Sequence, residues 1–346
     1  MLELLKDYGL FLAKAITIVM AIIMIIRGIV AAVQREREMS RERISVRKLN
    51  HHYENLRDGL QHEMLHPFAL KQEIKERHKQ HKAEAKQFKK TPPPEKKKIF
   101  VLNFKGDLRA SAVNSLREEI TAVLTVAKPT DEVVLRLESS GGMVHTYGLA
   151  ASQLLRLKQK QIPLTITVDK VAASGGYMMA CVGDRILAAP FAIVGSIGVL
   201  SQVPNFHRLL KKFDVDYEEI TAGEYKRTLS VFGENTEKGR QKFIEQIEDT
   251  HVLFKEFIRE NRTQVDVEGV ATGEYWYGKR ALDLKLVDEL LASDDYLFAA
   301  SAACDIYEIT YKPKETLREK LAVGLEESLG RILFSLWERA EGKRWG

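Results

Sequence analysis

Apolar residues are unevenly spaced along this 346-residue chain, and the spacing changes character twice. Residues 9–33 read GLFLAKAITIVMAIIMIIRGIVAAV, 25 residues in which only Lys14 and Arg27 carry charge. A helix needs about 20 mostly apolar residues to cross a bilayer. The uninterrupted core, 15–26, has 12. Lys14 and Arg27 stand near its ends, where long side chains can reach the headgroups. Residues 1–33 therefore read as an uncleaved, single-span membrane anchor. A secretory leader would carry its charges before the apolar run, and here most of them follow it. Residues 34–98 are charged, hold six of the nine histidines and contain few large apolar residues. Such a stretch buries little and reads as a partly helical spacer. The run Thr91-Pro92-Pro93-Pro94 ends any helix there and marks a boundary.

From residue 99 the pattern becomes one of alternating strands and helices. Apolar runs at 99–104 and 163–169 predict buried strands, as does the alternation of Val133, Leu135 and Leu137. Residues 193–201 form a further apolar run. Helical spacing of Val113, Leu116, Ile120, Val123 and Leu124 predicts a helix over 111–127. Further helices are expected over 146–160, from 175, over 205–213 and over 236–261, the last with Phe243, Ile247, Phe254 and Ile258 on one face. Strand–helix alternation predicts an α/β fold with a parallel sheet covered by helices, here over 99–315. A C-terminal amphipathic stretch follows at 316–346.

Charge sharpens the division. Residues 34–98 hold 18 Lys and Arg against 10 Asp and Glu, while 99–346 is mildly acidic. An acidic body argues against nucleic acid as a partner. Basic charge beside the apolar run points to a membrane surface, and Arg35, Arg37, Arg41, Arg43, Arg47 and Lys48 would place the downstream chain in the cytoplasm. Two cysteines, Cys181 and Cys304, exclude a disulfide scaffold and a four-cysteine zinc site.

Two glycine-containing junctions could carry chemistry. Ala172-Ala173-Ser174-Gly175-Gly176-Tyr177 puts a serine between a strand and a helix. There its hydroxyl is exposed, small neighbours admit a substrate backbone, and the free N–H that opens the helix can stabilise an oxyanion. Glu138-Ser139-Ser140-Gly141-Gly142-Met143 also follows a strand and precedes a helix. A capped turn explains either fragment alone. Together they share the carboxyl edge of one parallel sheet and could face one site. The serine needs a base. His145, His207 and His251 lack the context of a triad, whereas Lys226, in Thr221-Ala222-Gly223-Glu224-Tyr225-Lys226, offers an amine. Enclosed in an apolar pocket, a lysine loses the solvation of its ammonium form and can accept a proton. His62-Glu63-Met64-Leu65-His66 matches a zinc motif, but Pro67, a charged setting and the lack of a third ligand oppose a metal site. No Walker loop or dinucleotide fingerprint occurs, so no cofactor is expected.

Residues 99–290 resemble the signal peptide peptidase A family of Ser–Lys serine proteases, and the whole chain, with its anchor and spacer, resembles the SohB branch of that family. The resemblance lies in ESSGGMVHTYGLAAS (138–152), DKVAASGGYMMAC (169–181), AIVGSIGV (192–199), AGEYKRT (222–228) and GEYWYGKRALDLKLVDEL (273–290). It implies a ClpP/crotonase-like fold, Ser174 as nucleophile, Lys226 as general base and Ser196 as the serine that orients the lysine. It also implies the N–H groups of Gly175 and Gly142 as the oxyanion hole. The family usually has Asn-Ser-Pro-Gly-Gly where this chain has Glu138-Ser139-Ser140-Gly141-Gly142. Its members assemble as rings in which serine and lysine can come from different subunits, so a homo-oligomer with shared sites is expected. The partners would be a peptide or protein substrate and the inner membrane. The charge rule favours the cytoplasmic face and the family's better-known members the outer one, which leaves the face open. The rival readings are a catalytically weak membrane scaffold of the same fold, an acyl-CoA enzyme with the same sheet, and a zinc peptidase.

Overall fold

A computed structural model describes residues 43–64 and 96–313, besides a few single positions. The expected anchor and the C-terminal stretch at 316–346 lie outside these residues, single positions aside. Among the described residues no helix is long and apolar enough to cross a membrane. The chain divides into two compact units, one of residues 44–310 and one of 1–43 with 311–346. The described strands and helices belong to the first, save for a residue or two at either end.

The chain enters through β1 (Arg43–Lys48) and α1 (Leu49–Met64). Then come β2 (Lys98–Lys105), α2 (Val113–Leu124), β3 (Glu132–Glu138), α3 (Val144–Gln159), β4 (Leu164–Val168), β5 (Val171–Ala173), α4 (Gly175–Ala180), β6 (Arg185–Ala188) and β7 (Ile193–Gly195). The remainder is α5 (His207–Lys212), α6 (Glu237–Asn261), α7 (Val267–Val270), β8 (Tyr275–Tyr277), α8 (Gly278–Asp283), β9 (Glu289–Leu290), α9 (Ser293–Ala300) and β10 (Asp305–Lys312). The main sheet runs β1-β10-β2-β3-β4-β6-β9, and its pairs from β10 to β9 are parallel. A second sheet, β5-β7-β8, pairs β5 with β7 in parallel and β7 with β8 in antiparallel fashion. The fold is thus α/β with a parallel-rich sheet, as the alternation of elements predicts.

The period-two pattern of β2 and β3 shows why. Phe100, Leu102 and Phe104 join Val133, Leu135 and Leu137 in one large core with α2, α3 and α4. Ile99, Val101 and Val134 join a smaller core with Leu49, Leu297 and Ile306. Strands apolar on both faces need cover on both. Residues 43–64, which read as spacer, supply part of that cover. Leu49 is buried, and the Asn50 amide donates to the carbonyls of Ser301 and Cys304 while accepting from the Ile306 N–H. Helix α6 is capped by Thr236, whose hydroxyl accepts from the Gly239 N–H. Only Phe254 and Ile258 of its apolar stripe are buried; Phe243 and Ile247 stay half-exposed.

Two polar hubs brace this framework. Glu132 accepts from Lys97 Nζ at 2.6 Å, Thr165 Oγ1 at 2.7 Å and the Tyr296 hydroxyl at 2.6 Å. Burial pushes its carboxyl up, yet these donors outweigh burial and hold it below the usual carboxylate range. Arg262, 2% exposed, makes a two-pronged pair with Asp288 at 2.8 and 2.9 Å, and Asp288 also accepts from the Ile186 N–H.

Candidate active site

Ser174 sits between β5 and α4 with φ 52° and ψ −120°. This is a strained conformation for a residue with a Cβ, costing on the order of 1–3 kcal/mol. Surrounding bonds impose it. Its N–H donates to the Gly195 carbonyl at 2.8 Å, and its own carbonyl accepts from the Met178 N–H at 3.0 Å, opening the helix. The serine is half-buried, as is Ser196. The parallel register aligns Ala173 with Gly195, so the next residues along, Ser174 and Ser196, are neighbours across two adjacent strand ends. Ser196 has φ 51°, and its N–H is held by the Glu274 carbonyl at 2.7 Å.

The second glycine junction comes to the same place. Ser139 bridges to β5: its N–H donates to the Val171 carbonyl at 2.8 Å, and its carbonyl accepts from the Ala173 N–H at 3.0 Å. Gly141, with φ +90°, turns the chain against the serine so closely that a Cβ there would lie 2.8 Å from Ser174 Cβ. Gly175 is equally confined, since a Cβ would lie 2.5 Å from Cγ of Tyr147. Neither the Gly142 nor the Gly175 N–H donates to any described group. Strand carboxyl ends and the strained serine thus meet here, with the unpaired N–H of Gly175 next to the serine and that of Gly142 in the loop packed against it. Chemically, such a cluster can present an oxygen nucleophile to a carbonyl and receive the negative charge that develops on its oxygen.

Among the described residues no hydrogen bond joins this cluster to Lys226. It lies in a turn opened by Gly223 (φ +102°), its N–H donating to the Gly223 carbonyl at 3.1 Å, and it is exposed. Its amine has no partner among the described residues. The segment around it, 200–236, is largely irregular and displays Leu200, Phe206, Phe213 and Ile220 to solvent. The histidine pair of the zinc motif is only partly within the described residues, among which no cluster of metal-ligating side chains occurs.

Sequence reasoning passed over Tyr147 and the hydroxyl of Ser139, which hydrogen-bond each other at 2.6 Å beneath the site. Tyr147 shares the buried face of α3 with Ala150, Ala151, Leu154 and Leu157. Its spacing therefore reads as core; only a tyrosine at the start of that face, just after the glycine pair, hints at more.

Comparison with known proteins identifies the family. Residues 3–154 match the family model described as peptidase family S49 N-terminal, and residues 156–306 match peptidase family S49. The boundary falls between the loop of Gly142 and the turn of Ser174, so each half supplies one side of the cluster. The chain belongs to peptidase family S49 and is a peptidase. A protein of Haemophilus influenzae named "Probable protease SohB" is 46% identical over 345 residues, 96% of each chain. A "Probable protease SohB" of Buchnera aphidicola subsp. Acyrthosiphon pisum is 54% identical over 242 residues, 70% of this chain and 72% of that one. Within its family, then, the chain lies in the SohB branch. Among solved structures, a membrane-bound stomatin-specific protease aligns with a TM-score of 0.39 and 14% identity, covering 60% of this chain and 85% of that one.

Proposed function

We propose that the chain is a membrane-anchored serine endopeptidase of ClpP/crotonase-like fold that cleaves peptides or unfolded, membrane-near segments through an acyl-enzyme. The observation that carries this is the strained Ser174 set beside two unpaired N–H groups. In the proposed reaction Ser174 Oγ attacks the scissile carbonyl carbon, and the neutral amine of Lys226 takes the hydroxyl proton. The tetrahedral oxyanion rests against the Gly142 and Gly175 N–H groups. The C–N bond breaks, Lys226 returns the proton to the leaving amine, and an ester to Ser174 remains. Water then adds to the ester, gives a proton to Lys226, and releases the acid as Ser174 regains its hydrogen. Ser196, next to Ser174, orients the lysine amine.

Because Lys226 is exposed within one chain, a neighbouring subunit supplies it in this reading, and the site forms in a homo-oligomeric ring. The exposed apolar side chains around it support such an assembly. The anchor would hold the ring at the inner membrane, raising the local concentration of membrane-near substrates.

The test uses the full-length protein and a fluorogenic peptide. Ser174→Ala and Lys226→Ala are each expected to abolish cleavage, and mixing the two under subunit exchange is expected to restore part of it. Full activity in either single variant overturns the mechanism. An absence of cleavage by the wild-type assembly, with no labelling of Ser174 by a serine-directed probe, would favour the scaffold reading.

A further inference from the structure

We infer that Tyr147 is a positioning residue for the proposed reaction. Its hydroxyl, acting through Ser139, fixes the loop that presents the Gly142 N–H, and its ring fixes the backbone of Gly175. The inference rests on the reading of Ser174 as nucleophile.

Hydroxyl valence sets the direction of every bond. The Tyr147 O–H donates to the Asp107 carbonyl at 2.8 Å. A phenol has one proton, so towards Ser139, 2.6 Å away, its oxygen accepts. The Ser139 hydroxyl therefore donates to Tyr147, and its oxygen accepts the Gly141 N–H at 3.1 Å. The result is a one-way chain from Gly141 through Ser139 and Tyr147 to Asp107. Bonds aligned in this sense polarise one another. The chain is sealed: Tyr147 is fully buried and Ser139 nearly so. A Cβ on Gly106 would lie 2.3 Å from the Tyr147 oxygen and 2.5 Å from Ser139 Oγ, so backbone closes the remaining side. Burial also pushes the phenol up in pKa, so it stays a donor throughout the working range.

The two ends of the side chain do different things. The ring presses on Gly175, whose missing Cβ makes the contact possible. The hydroxyl, through Ser139, holds the N–H of Gly141, one residue before Gly142. One buried residue thus sets both N–H groups in which the oxyanion would rest. Removing the oxygen while keeping the ring separates this role from packing.

The experiment compares wild type, Tyr147→Phe and Ser139→Ala as purified full-length assemblies, using a fluorogenic peptide, a peptide aldehyde and the matching peptide alcohol. The aldehyde adds to a serine hydroxyl and creates the oxyanion; the alcohol does not. Tyr147→Phe is expected to lower kcat about 10-fold, below the roughly 10²–10³-fold cost of deleting an oxyanion donor outright. KM should stay within about twofold, aldehyde binding should weaken in step with kcat, and alcohol binding should not change. Ser139→Ala should behave alike, and the double variant should be no worse than the poorer single one, since both act through one chain. If Ser174→Ala is inactive while Tyr147→Phe and Ser139→Ala keep wild-type kcat and aldehyde affinity, the inference is wrong and the serine reading survives. Equal weakening of aldehyde and alcohol also overturns it, because that is what general loosening produces. Cleavage by Ser174→Ala would instead remove the reading on which the inference stands.

Discussion

Replacing Gly175 by alanine adds one methyl group at a point of the site with no room for it. The position is the first residue of α4, where alanine suits the backbone, so the perturbation is steric. The new Cβ would lie 2.5, 2.8 and 2.9 Å from three carbons of Tyr147. Real contacts of this kind sit near 3.5–4.0 Å, so the ring must retreat by about 1 Å. Its far end is pinned by the bonds to Ser139 and Asp107. Overpacking of a full core costs about 1–3 kcal/mol, and loosening two hydrogen bonds adds about 1 kcal/mol each. A loss of roughly 3–5 kcal/mol follows, which at about 2–4 °C per kcal/mol lowers Tm by roughly 6–20 °C. The Gly175 N–H moves with the backbone, so kcat should fall at least about 10²-fold. Gly148→Ala is the control: it lies in α3, and a Cβ there meets nothing within 4 Å. It should stabilise by up to about 1 kcal/mol and leave cleavage intact. Scanning calorimetry and steady-state kinetics on both variants decide the matter. Wild-type Tm and kcat in Gly175→Ala would refute the steric argument, and equal losses in the two variants would show that the named contact is not the cause.

Glu132→Gln should flatten the acid side of the stability profile. The folded carboxyl titrates below the ordinary value of about 4.3, so its contribution is whole above that pH and is lost as pH falls through the folded value. Tm measured from pH 7 to pH 3 reads this, and a variant with an unchanged acid slope would refute it. Asp288→Ala leaves Arg262 buried without its partner and should cost about 3–5 kcal/mol in denaturant unfolding; a loss below about 1 kcal/mol would mean that water or another group compensates. Ile220→Glu, at a side chain 94% exposed in the single chain, should leave Tm of the isolated subunit within about 2 °C while reducing assembly and cleavage together. Sedimentation and the peptide assay test this, and an intact, active oligomer would exclude the segment from the interface.

What could be read from the sequence was what local physics dictates. The two-sided apolar strands at 99–104 and 133–137 specify a covered parallel sheet, and the stripe of 236–261 specifies a helix. The turn at Ser174 was legible as a candidate only in company: a capped turn accounts for Ser174-Gly175-Gly176 alone, and the second glycine junction after another strand is what marked it. Three features escaped for identifiable reasons. Strands β6 and β9 are 4 and 2 residues long, too short to show a period. Helix α1 is rich in charge, and what draws it onto the body is Leu49 together with the three hydrogen bonds of Asn50, none of which leaves a periodic trace. The bond between Tyr147 and Ser139 depends on the meeting of two elements, and helical spacing marked Tyr147 only as core.

Lys226 and the segment that carries it raise one physical problem. The lysine is exposed, whereas a lysine serves as a base where its amine is kept from water. In the segment that carries it Leu200, Phe206, Phe213 and Ile220 are exposed, and Phe243 and Ile247 of α6 are only half covered. Four large apolar side chains exposed between residues 200 and 220 are what a surface covered in an assembly would show. Burying four such side chains gains roughly 6–12 kcal/mol at about 1.5–3 kcal/mol each. Association costs roughly 4–15 kcal/mol, so this segment alone would bind a neighbour weakly. In a closed ring each subunit makes two such contacts, and the cost of ordering it is shared between them. On the proposed reading the same contact excludes water from the lysine amine. Assembly and the activation of the base are then one event, and a subunit outside the ring is held inactive by its own geometry, with a prepared nucleophile and no base to take its proton.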